Sequence, residues 1–186
     1  PVWLDALEAQ LAEAGALVAE ARARLVERLS AELALLPEAP FARPELAYRP
    51  GGPLGADELT AALRASRARD RAAQRTLIGP HRDELDVVMA GKGQAAADCS
   101  TGEQKAMLIA ITLAHAGLLD AARPALLLLD EVAAHLDPVR REALFDRLRE
   151  GRAQVWLTGT ELPPFAAIEA EAAVWRISEG LAERLG

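Results

Sequence analysis

The chain has 186 residues, a length that suits one domain, or one domain with a helical appendage. Hydrophobic residues make up 51% of it and charged residues 26%, a balance that excludes an extended disordered tail and, because charges interrupt the apolar runs, a membrane span. The formal net charge of −7 excludes a protein that binds nucleic acid through its overall charge, so any contact with nucleic acid must come from a local basic patch.

The first predicted element is a long amphipathic helix. From Leu4 to Leu36, apolar residues recur at steps of three or four with Glu and Arg between them, and the pattern ends near Pro37. Such a helix either forms a coiled-coil-like arm or packs in an ordinary helical lobe, and Ala at several of the apolar positions favours the packed helix. The pattern is already under way at Pro1, so we expect part of the protein to precede it.

A connector and a second helix follow. Residues 37–56 are rich in Pro and Gly, which forbids a helix through them, although a short strand fits at Leu46–Arg49. The second helix is predicted to begin with Asp57 as its N-cap and to end near Gln74. We therefore assign residues 1–75 to a helical lobe that contains the connector.

Residues 76–186 are predicted to form an α/β core. Alternating residues at Leu85–Met89 and the turn at 91–93 predict a hairpin that continues into residues 94–99. Beyond residue 100, helices alternate with short apolar strands, which is typical of a mainly parallel sheet with buried strands. The predicted elements are a helix over 102–120, a strand over 125–129, a helix from Asp137 and Pro138 to Arg149, a strand over 153–158, a short helix from Pro163, and a strand over 173–177 turned by Gly180.

Two carboxylates follow one of these strands. Asp130 and Glu131 lie at the predicted carboxyl end of the strand, where α/β sheets bind their ligands. In nucleotide hydrolases such a pair positions Mg²⁺ and polarises the attacking water, whereas the structural alternative is a pair of solvated side chains. The loop AHLD at 134–137 comes next, and its Asp137 has the simpler explanation that it caps the following helix.

The sequence STGEQ at 100–104 opens the apolar helix. Ser100 and Glu103 fit a capping box, which is a purely structural explanation. The small residues Thr101 and Gly102 also leave a helix N-terminus rich in N–H donors, which suits a phosphate.

The order of these segments resembles a known family. A helix start of the STGEQ type, a strand ending in DE, a loop ending in LDP and a strand ending in WLTGT resemble the signature motif, Walker B motif, D-loop and switch of ATP-binding-cassette ATPases. More closely, the chain resembles the RecF family of bacterial recombination and repair ATPases, which are related to the chromosome-maintenance proteins. The segments that carry this resemblance are TLIGPHRDEL at 76–85, STGEQKA at 100–106 and LLLLDEVAAHLDPVRR at 126–141.

The resemblance implies an α/β fold, the C-terminal half of an ABC-type ATPase head with a helical lobe, and a set of site residues. Ser100, Thr101, Gly102, Glu103 and Gln104 would contact the γ-phosphate of ATP held by a partner subunit. Asp130 would position Mg²⁺, Glu131 would act as the general base, Asp137 would lie at the dimer seam, and Thr158 or Thr160 would occupy the switch position. The implied protein is an ATP-bound homodimer on single-stranded and double-stranded DNA at gaps or junctions, which works with RecO and RecR to load RecA.

Two departures from the family pattern bear on activity. The only GK pair, Gly91-Lys92, has Asp86 where a phosphate-binding loop needs its first Gly, and Gly93 where Ser or Thr is required, so the chain has no Walker A motif. We therefore expect the chain to be the C-terminal half of such a protein and to be inactive alone. Many members have two Asp at the Walker B end, whereas the Asp-Glu pair here makes a hydrolytic base more plausible.

A basic stripe is the candidate DNA contact. Arg64, Arg67, Arg71 and Arg75 step by three, four and four, so they share one helical face that either follows a phosphate backbone or is simply solvated. This leaves two alternative functions open: a DNA-binding or partner-binding lobe without nucleotide chemistry, and a cassette ATPase of another system. A transporter subunit would usually carry His at the switch.

Other notable residues have structural explanations. We expect the motif at 81–83 to pin a turn, and we expect His115, the three Trp residues and Cys99 to serve packing. A single cysteine cannot form an internal disulfide, and no segment resembles a signal peptide, so the sequence predicts a cytoplasmic protein.

Overall fold

The computed structural model of the protein describes residues 2–36, 39–120 and 125–185. The chain divides into two units: Pro1–Leu36 with Arg43–Cys99, and Pro37–Ala42 with Ser100–Gly186. The predicted boundary lies at residue 75, whereas the first unit extends to Cys99 because the strand that follows residue 83 pairs with the strand of the connector.

The first unit packs two helices with a three-stranded antiparallel sheet. Its elements are α1 (Val2–Ala34), β1 (Pro44–Arg49), α2 (Ala56–Ala73), β2 (Glu84–Met89) and β3 (Gln94–Ala95), and the strand order is β1-β2-β3. These bounds confirm the predicted long helix, connector strand and hairpin, although the second hairpin strand is only two residues long.

The first half of α1 buries a different face from the one its apolar stripe suggests, whereas Leu29 and Leu33 of the stripe are buried as expected. In that first half, Ala12 and Gly15 are buried towards α2, and a Cβ on Gly15 would lie 3.0 Å from Leu59 Cδ2 of α2. Small side chains let the two helices approach closely, and Ala12 shares a core with Leu59 and Leu63. Stripe residues remain exposed, among them Leu7, Leu11, Val18 and Leu25.

The second helix begins earlier than its predicted cap. Gly55 is the N-cap of α2 in an extended conformation, and its carbonyl accepts the N–H of Leu59 at 2.9 Å. The prediction of Asp57 as N-cap is therefore wrong: Asp57 lies in the first turn, where its charge complements the helix dipole. Gln74 is the C-cap of the helix and has a left-handed backbone conformation, which confirms the predicted end of the helix near Gln74.

One carboxylate ties the first unit together. Asp83 accepts hydrogen bonds from the Gly51 N–H at 2.8 Å, the Tyr48 hydroxyl at 2.6 Å and the Arg22 guanidinium at 2.7 Å, and its side chain is 5% exposed. Burial raises the pKa of Asp83, but these three donors outweigh burial and hold the pKa below its ordinary value. The motif at 81–83 therefore pins the turn to α1 and β1, as expected from the sequence.

The second unit is built around one parallel strand pair. Its regular elements are α3 (Thr101–Asp120), β4 (Leu126–Leu129), α4 (Pro138–Glu150), β5 (Gln154–Leu157), β6 (Trp175–Ser178) and β7 (Leu181–Arg184). Strands β4 and β5 are parallel, as predicted, while β6 and β7 form an antiparallel hairpin. The predicted helix at Pro163 is a single 3-10 turn.

The core of this unit covers one face of the parallel pair. Leu129 is buried with Leu144 and Phe145 of α4, and the ring of Phe145 lies 6.3 Å from that of Phe165. On the other face, Leu126 and Leu128 are 58% and 67% exposed. The prediction of a fully buried strand is therefore wrong for these alternate residues, since within the described residues only one face of β4 lies against the core cluster.

Candidate functional site

The candidate site lies where β4 and β5 end together. Leu129 pairs with Leu157, and because the strands are parallel, the next residue of each strand emerges at the same edge of the sheet. These next residues are Asp130 and Thr158, and the N–H of Thr158 donates to the Leu129 carbonyl at 3.1 Å, which continues the ladder by one bond. The fold therefore places the predicted carboxylate pair beside a hydroxyl from the neighbouring strand.

The Thr158 hydroxyl bridges the two acidic residues. It donates to Asp130 Oδ1 and accepts the backbone N–H of Glu131 at 3.1 Å. Glu131 is half-buried and adopts a left-handed backbone conformation with φ of +52°, which a residue with a side chain rarely adopts. The structure thus brings together Asp130, Glu131 and Thr158 of the predicted site.

The oxygen ligands present fit Mg²⁺ bound together with a nucleotide. Asp130 is exposed and offers a carboxylate, a ligand that Mg²⁺ takes in small number while phosphates and water complete its shell. Within residues 2–36, 39–120 and 125–185, no cluster of three or more His, Cys, Asp or Glu side chains could hold a metal by itself. A cation bound to Asp130 would complete its shell with phosphate oxygens and water.

The STGEQ segment forms the N-terminus of α3 and closes a capping box. The Ser100 N–H and hydroxyl donate to Glu103 Oε2 at 2.9 and 2.8 Å, and the Glu103 N–H lies 3.4 Å from Ser100 Oγ. Thr101, Gly102 and Gln104 are exposed. The predicted capping box of Ser100 and Glu103 is therefore present. The exposed residues Thr101, Gly102 and Gln104 leave the N-terminus of α3 open to solvent.

The loop after Glu131 leads into α4. Asp137 caps this helix by accepting the N–H of Arg140 at 2.9 Å, as the sequence predicts. The Arg140 guanidinium lies 3.4 Å from the Asp137 carboxylate and donates from Nε to the Pro40 carbonyl at 3.0 Å. Sequence reasoning missed Arg140, because its partner in the connector is 100 residues away in the chain.

A shallow cavity adjoins the second switch candidate. It has a volume of about 230 Å³ and is lined by Ala134, Gly159, Thr160, Glu161, Pro164 and Phe165. A Cβ on Gly159 would lie 2.5 Å from the ring of Phe165, so this position requires glycine. Thr160 is exposed and lines this cavity, whereas the Thr158 hydroxyl is bonded to the Asp130 carboxylate and the Glu131 N–H.

The arginine stripe lies in the first unit, and the structure divides it. Arg67 donates to the buried carboxylate of Glu8 and, at 2.6 Å, to Asp5, while Arg64 lies 3.4 Å from Asp5. The pKa of Asp5 is lowered mainly by the hydrogen bond from Arg67. Arg67 thus clamps α2 to α1, a role that neither predicted alternative for the stripe, a phosphate contact or a solvated face, includes. Arg71 and Arg75 are exposed.

Comparison with known proteins gives close relatives. Two proteins named DNA replication and repair protein RecF, from Caulobacter sp. (strain K31) and Brucella abortus (strain 2308), are 45% and 46% identical to the chain over 191 residues. Each alignment covers 96% of the chain. The chain resembles RecF proteins. It spans about half the length of the curated relatives it matches, 49% and 50% for these two. No protein-family model matches the chain.

Solved RecF structures share its fold. The recombination mediator protein RecF with ATP, in the RecFOR pathway, superposes with a TM-score of 0.76 at 20% identity, covering 100% of this chain and 51% of that one. A second RecF structure, described with ATPrS, gives a TM-score of 0.78 at 22% identity over 99% of this chain. These matches confirm the predicted α/β fold, which the chain shares with about half of each RecF chain.

The two units divide the predicted site residues between them. The second unit carries every residue predicted for the nucleotide site, from Ser100 to Thr160, while the arginine stripe belongs to the first unit. No helix within the described residues is long and apolar enough to cross a membrane.

Proposed function

We propose that this chain supplies the C-terminal half of a RecF-type ATPase that acts in DNA replication, recombination and repair. The observation that carries the proposal is the Asp130–Thr158–Glu131 arrangement at the carboxyl ends of parallel strands, in a chain that is 45% identical to a RecF protein over 96% of its length. Two carboxylates at this edge suit phosphoryl transfer from ATP, which depends on positioning and on charge stabilisation.

Each residue has a defined role in this proposal. Asp130 holds Mg²⁺ together with the nucleotide phosphates, and when bound, the cation neutralises charge on the transferred phosphoryl group. Glu131 accepts a proton from the attacking water. The exposed N-terminus of α3, residues 100–104, faces the γ-phosphate of ATP on a partner subunit, and Asp137 lies at the seam of the homodimer. Thr158 or Thr160 occupies the switch position.

The proposed biological role follows the RecF relatives. ATP closes the homodimer on DNA at gaps or junctions, hydrolysis reopens it, and RecO and RecR act with it to load RecA. Because the chain has no Walker A motif, we expect the 186-residue chain to bind ATP weakly and not to hydrolyse it. Mg²⁺-dependent turnover by the purified chain would contradict this expectation.

The role of Glu131 is tested in a protein of the relatives' full length. Replacing Glu131 with Gln keeps the shape of the side chain and removes the base, so we expect ATP binding to persist, hydrolysis to fall by roughly 10²-fold or more, and an ATP-bound dimer to accumulate. Turnover would be followed by phosphate release and dimerisation by light scattering. Hydrolysis at the normal rate would show that Glu131 is not the base.

The exposed end of the arginine stripe is the proposed DNA contact. Arg71 and Arg75 are exposed and belong to the last turn of α2 and the residues that follow it. Reversing both charges to Glu should weaken DNA binding and lower the dependence of affinity on salt, because fewer counterions are released. Arg69→Glu, on another face of α2, is the matched control. Unchanged affinity and salt dependence in the double variant would exclude the stripe.

A further inference from the structure

The hydroxyl of Thr158 is committed to the two acidic residues of the candidate site. We infer that Thr158 is a positioning residue that orients Asp130 and holds the backbone of Glu131, and that Thr160 alone occupies the switch position. This inference deepens the proposed ATPase function and rests on it.

The hydrogen-bonding capacity of the Thr158 hydroxyl is limited. A threonine hydroxyl has one proton to donate and two lone pairs to accept with. In the structure the proton goes to Asp130 Oδ1, and one lone pair accepts the Glu131 N–H at 3.1 Å. A γ-phosphate oxygen only accepts hydrogen bonds, so Thr158 could contact it as a donor only by releasing Asp130. Holding the carboxylate and sensing the phosphate are therefore mutually exclusive for this hydroxyl.

Backbone pairing fixes the position of Thr158 at the end of the sheet. Its N–H bonds the Leu129 carbonyl at 3.1 Å, immediately before Asp130, so β5 sets the hydroxyl beside the carboxylate through backbone pairing. A hydroxyl held by the sheet and hydrogen-bonded to a metal-binding carboxylate fixes the orientation of that carboxylate. Thr160 lies two residues further on, exposed beside the cavity that Ala134 also lines.

The backbone conformation of Glu131 also depends on Thr158. Its φ of +52° lies in the left-handed region, which is unfavourable for a residue with a Cβ and persists where neighbouring groups hold it. The hydrogen bond from the Glu131 N–H to Thr158 Oγ1 is such a restraint. Because this conformation sets the direction in which the Glu131 side chain leaves the strand end, Thr158 controls both acidic residues at once.

The test begins with the 186-residue chain. We expect the Glu131 amide proton to exchange with solvent at least 10-fold faster in Thr158→Val than in the wild-type chain, and at the wild-type rate in Thr158→Ser, which keeps the hydroxyl. Thr160→Val is the matched control and should leave this exchange rate unchanged. Exchange measured by NMR that is equally fast in the wild-type chain and in Thr158→Val would overturn the inference.

The second arm uses a protein of the relatives' full length. Thr158→Val should lower kcat for ATP roughly 10- to 100-fold while the ratio of ATP to ADP affinity stays unchanged, and Thr158→Ser should restore kcat. Thr160→Val should instead reduce the preference for ATP over ADP. A loss of that preference in Thr158→Val would overturn the inference and assign the phosphate contact to Thr158.

The two arms separate this inference from the function on which it rests. If Glu131→Gln hydrolyses ATP at the normal rate, the proposed base is wrong. If Glu131→Gln behaves as expected but Thr158→Val keeps its full kcat, the proposed function stands and the positioning role of Thr158 is wrong.

Discussion

Removing the Asp83 carboxylate tests how the first unit is held together. Asp83 receives three donors, of which Gly51 and Tyr48 are partly buried, while the Arg22 side chain is 48% exposed. Replacing Asp83 with Ala leaves the two shielded donors without an acceptor, whereas Arg22 can be hydrated by water.

The magnitude follows from these exposures. A hydrogen bond to a charged acceptor contributes about 1.5 kcal/mol at the low end, so the two shielded donors account for about 3 kcal/mol. The ion pair with Arg22 adds little, because half of that side chain lies in solvent. We therefore expect Asp83→Ala to lower the free energy of unfolding by about 3 kcal/mol, and Tyr48→Phe to lower it by about 1 kcal/mol.

The assay is urea denaturation at pH 7 followed by far-UV circular dichroism, in which α1 and α2 dominate the signal. A double-mutant cycle between Asp83 and Tyr48 should give a coupling free energy of about 1 kcal/mol. A loss below about 0.5 kcal/mol in Asp83→Ala would refute the reasoning, since that is the range of surface substitutions without partners.

The same carboxylate predicts an acid dependence. The pKa of Asp83 is lower in the folded chain than in the unfolded chain, so its stabilising contribution is complete above the unfolded value of about 4 and is lost as pH falls through the folded value. Asp83→Asn has no charge at any pH. The stability difference between wild type and Asp83→Asn should therefore be largest near neutral pH and should shrink below about pH 4.

Further predictions concern the Tyr48 hydroxyl, Gly51 and the contact of Arg67 with α1. Burial and the neighbouring carboxylate raise the pKa of Tyr48 to about 12, so the sole tyrosine should titrate late by absorbance at 295 nm, and stability should fall as pH rises from about 10 to about 12, where only the unfolded phenol ionises. Gly51→Ala places a Cβ 2.4 Å from a neighbouring Cβ and should cost about 1 to 3 kcal/mol in urea denaturation, whereas Gly91→Ala, which meets no atom within 4 Å, should not. Arg67→Ala should lower the thermal unfolding midpoint more than Arg71→Ala, and equal midpoints would argue against the clamp between α1 and α2.

Element type and order in this chain were largely predictable from sequence. The connector ends α1, Asp137 and Pro138 begin α4, and the apolar run at 126–129 forms a strand, because Pro geometry, capping chemistry and short-range periodicity are local properties. The N-cap of α2 escaped prediction because Gly55 caps through backbone conformation alone, without a side-chain bond.

Burial was less predictable than element type. The apolar stripe of α1 suggested one buried face, but in the first half of the helix the small residues Ala12 and Gly15 face α2, since close helix contact requires small side chains and depends on the partner's shape. In the same way, apolar periodicity in β4 could not show that one face lacks a cover within the described residues, which leaves Leu126 and Leu128 exposed.

Sequence by itself determined which groups carry the proposed chemistry: the Asp-Glu pair after an apolar strand, the capping sequence at 100–104 and the helix cap at Asp137. Only the tertiary structure decided how they are joined. The parallel pairing of β4 with β5 brings Thr158, which is 28 residues away in the chain, to Asp130, and the helix packing of the first unit binds Arg67 to Glu8. The physical reason is that a hydrogen bond between distant residues depends on strand register and helix approach, which no local pattern encodes.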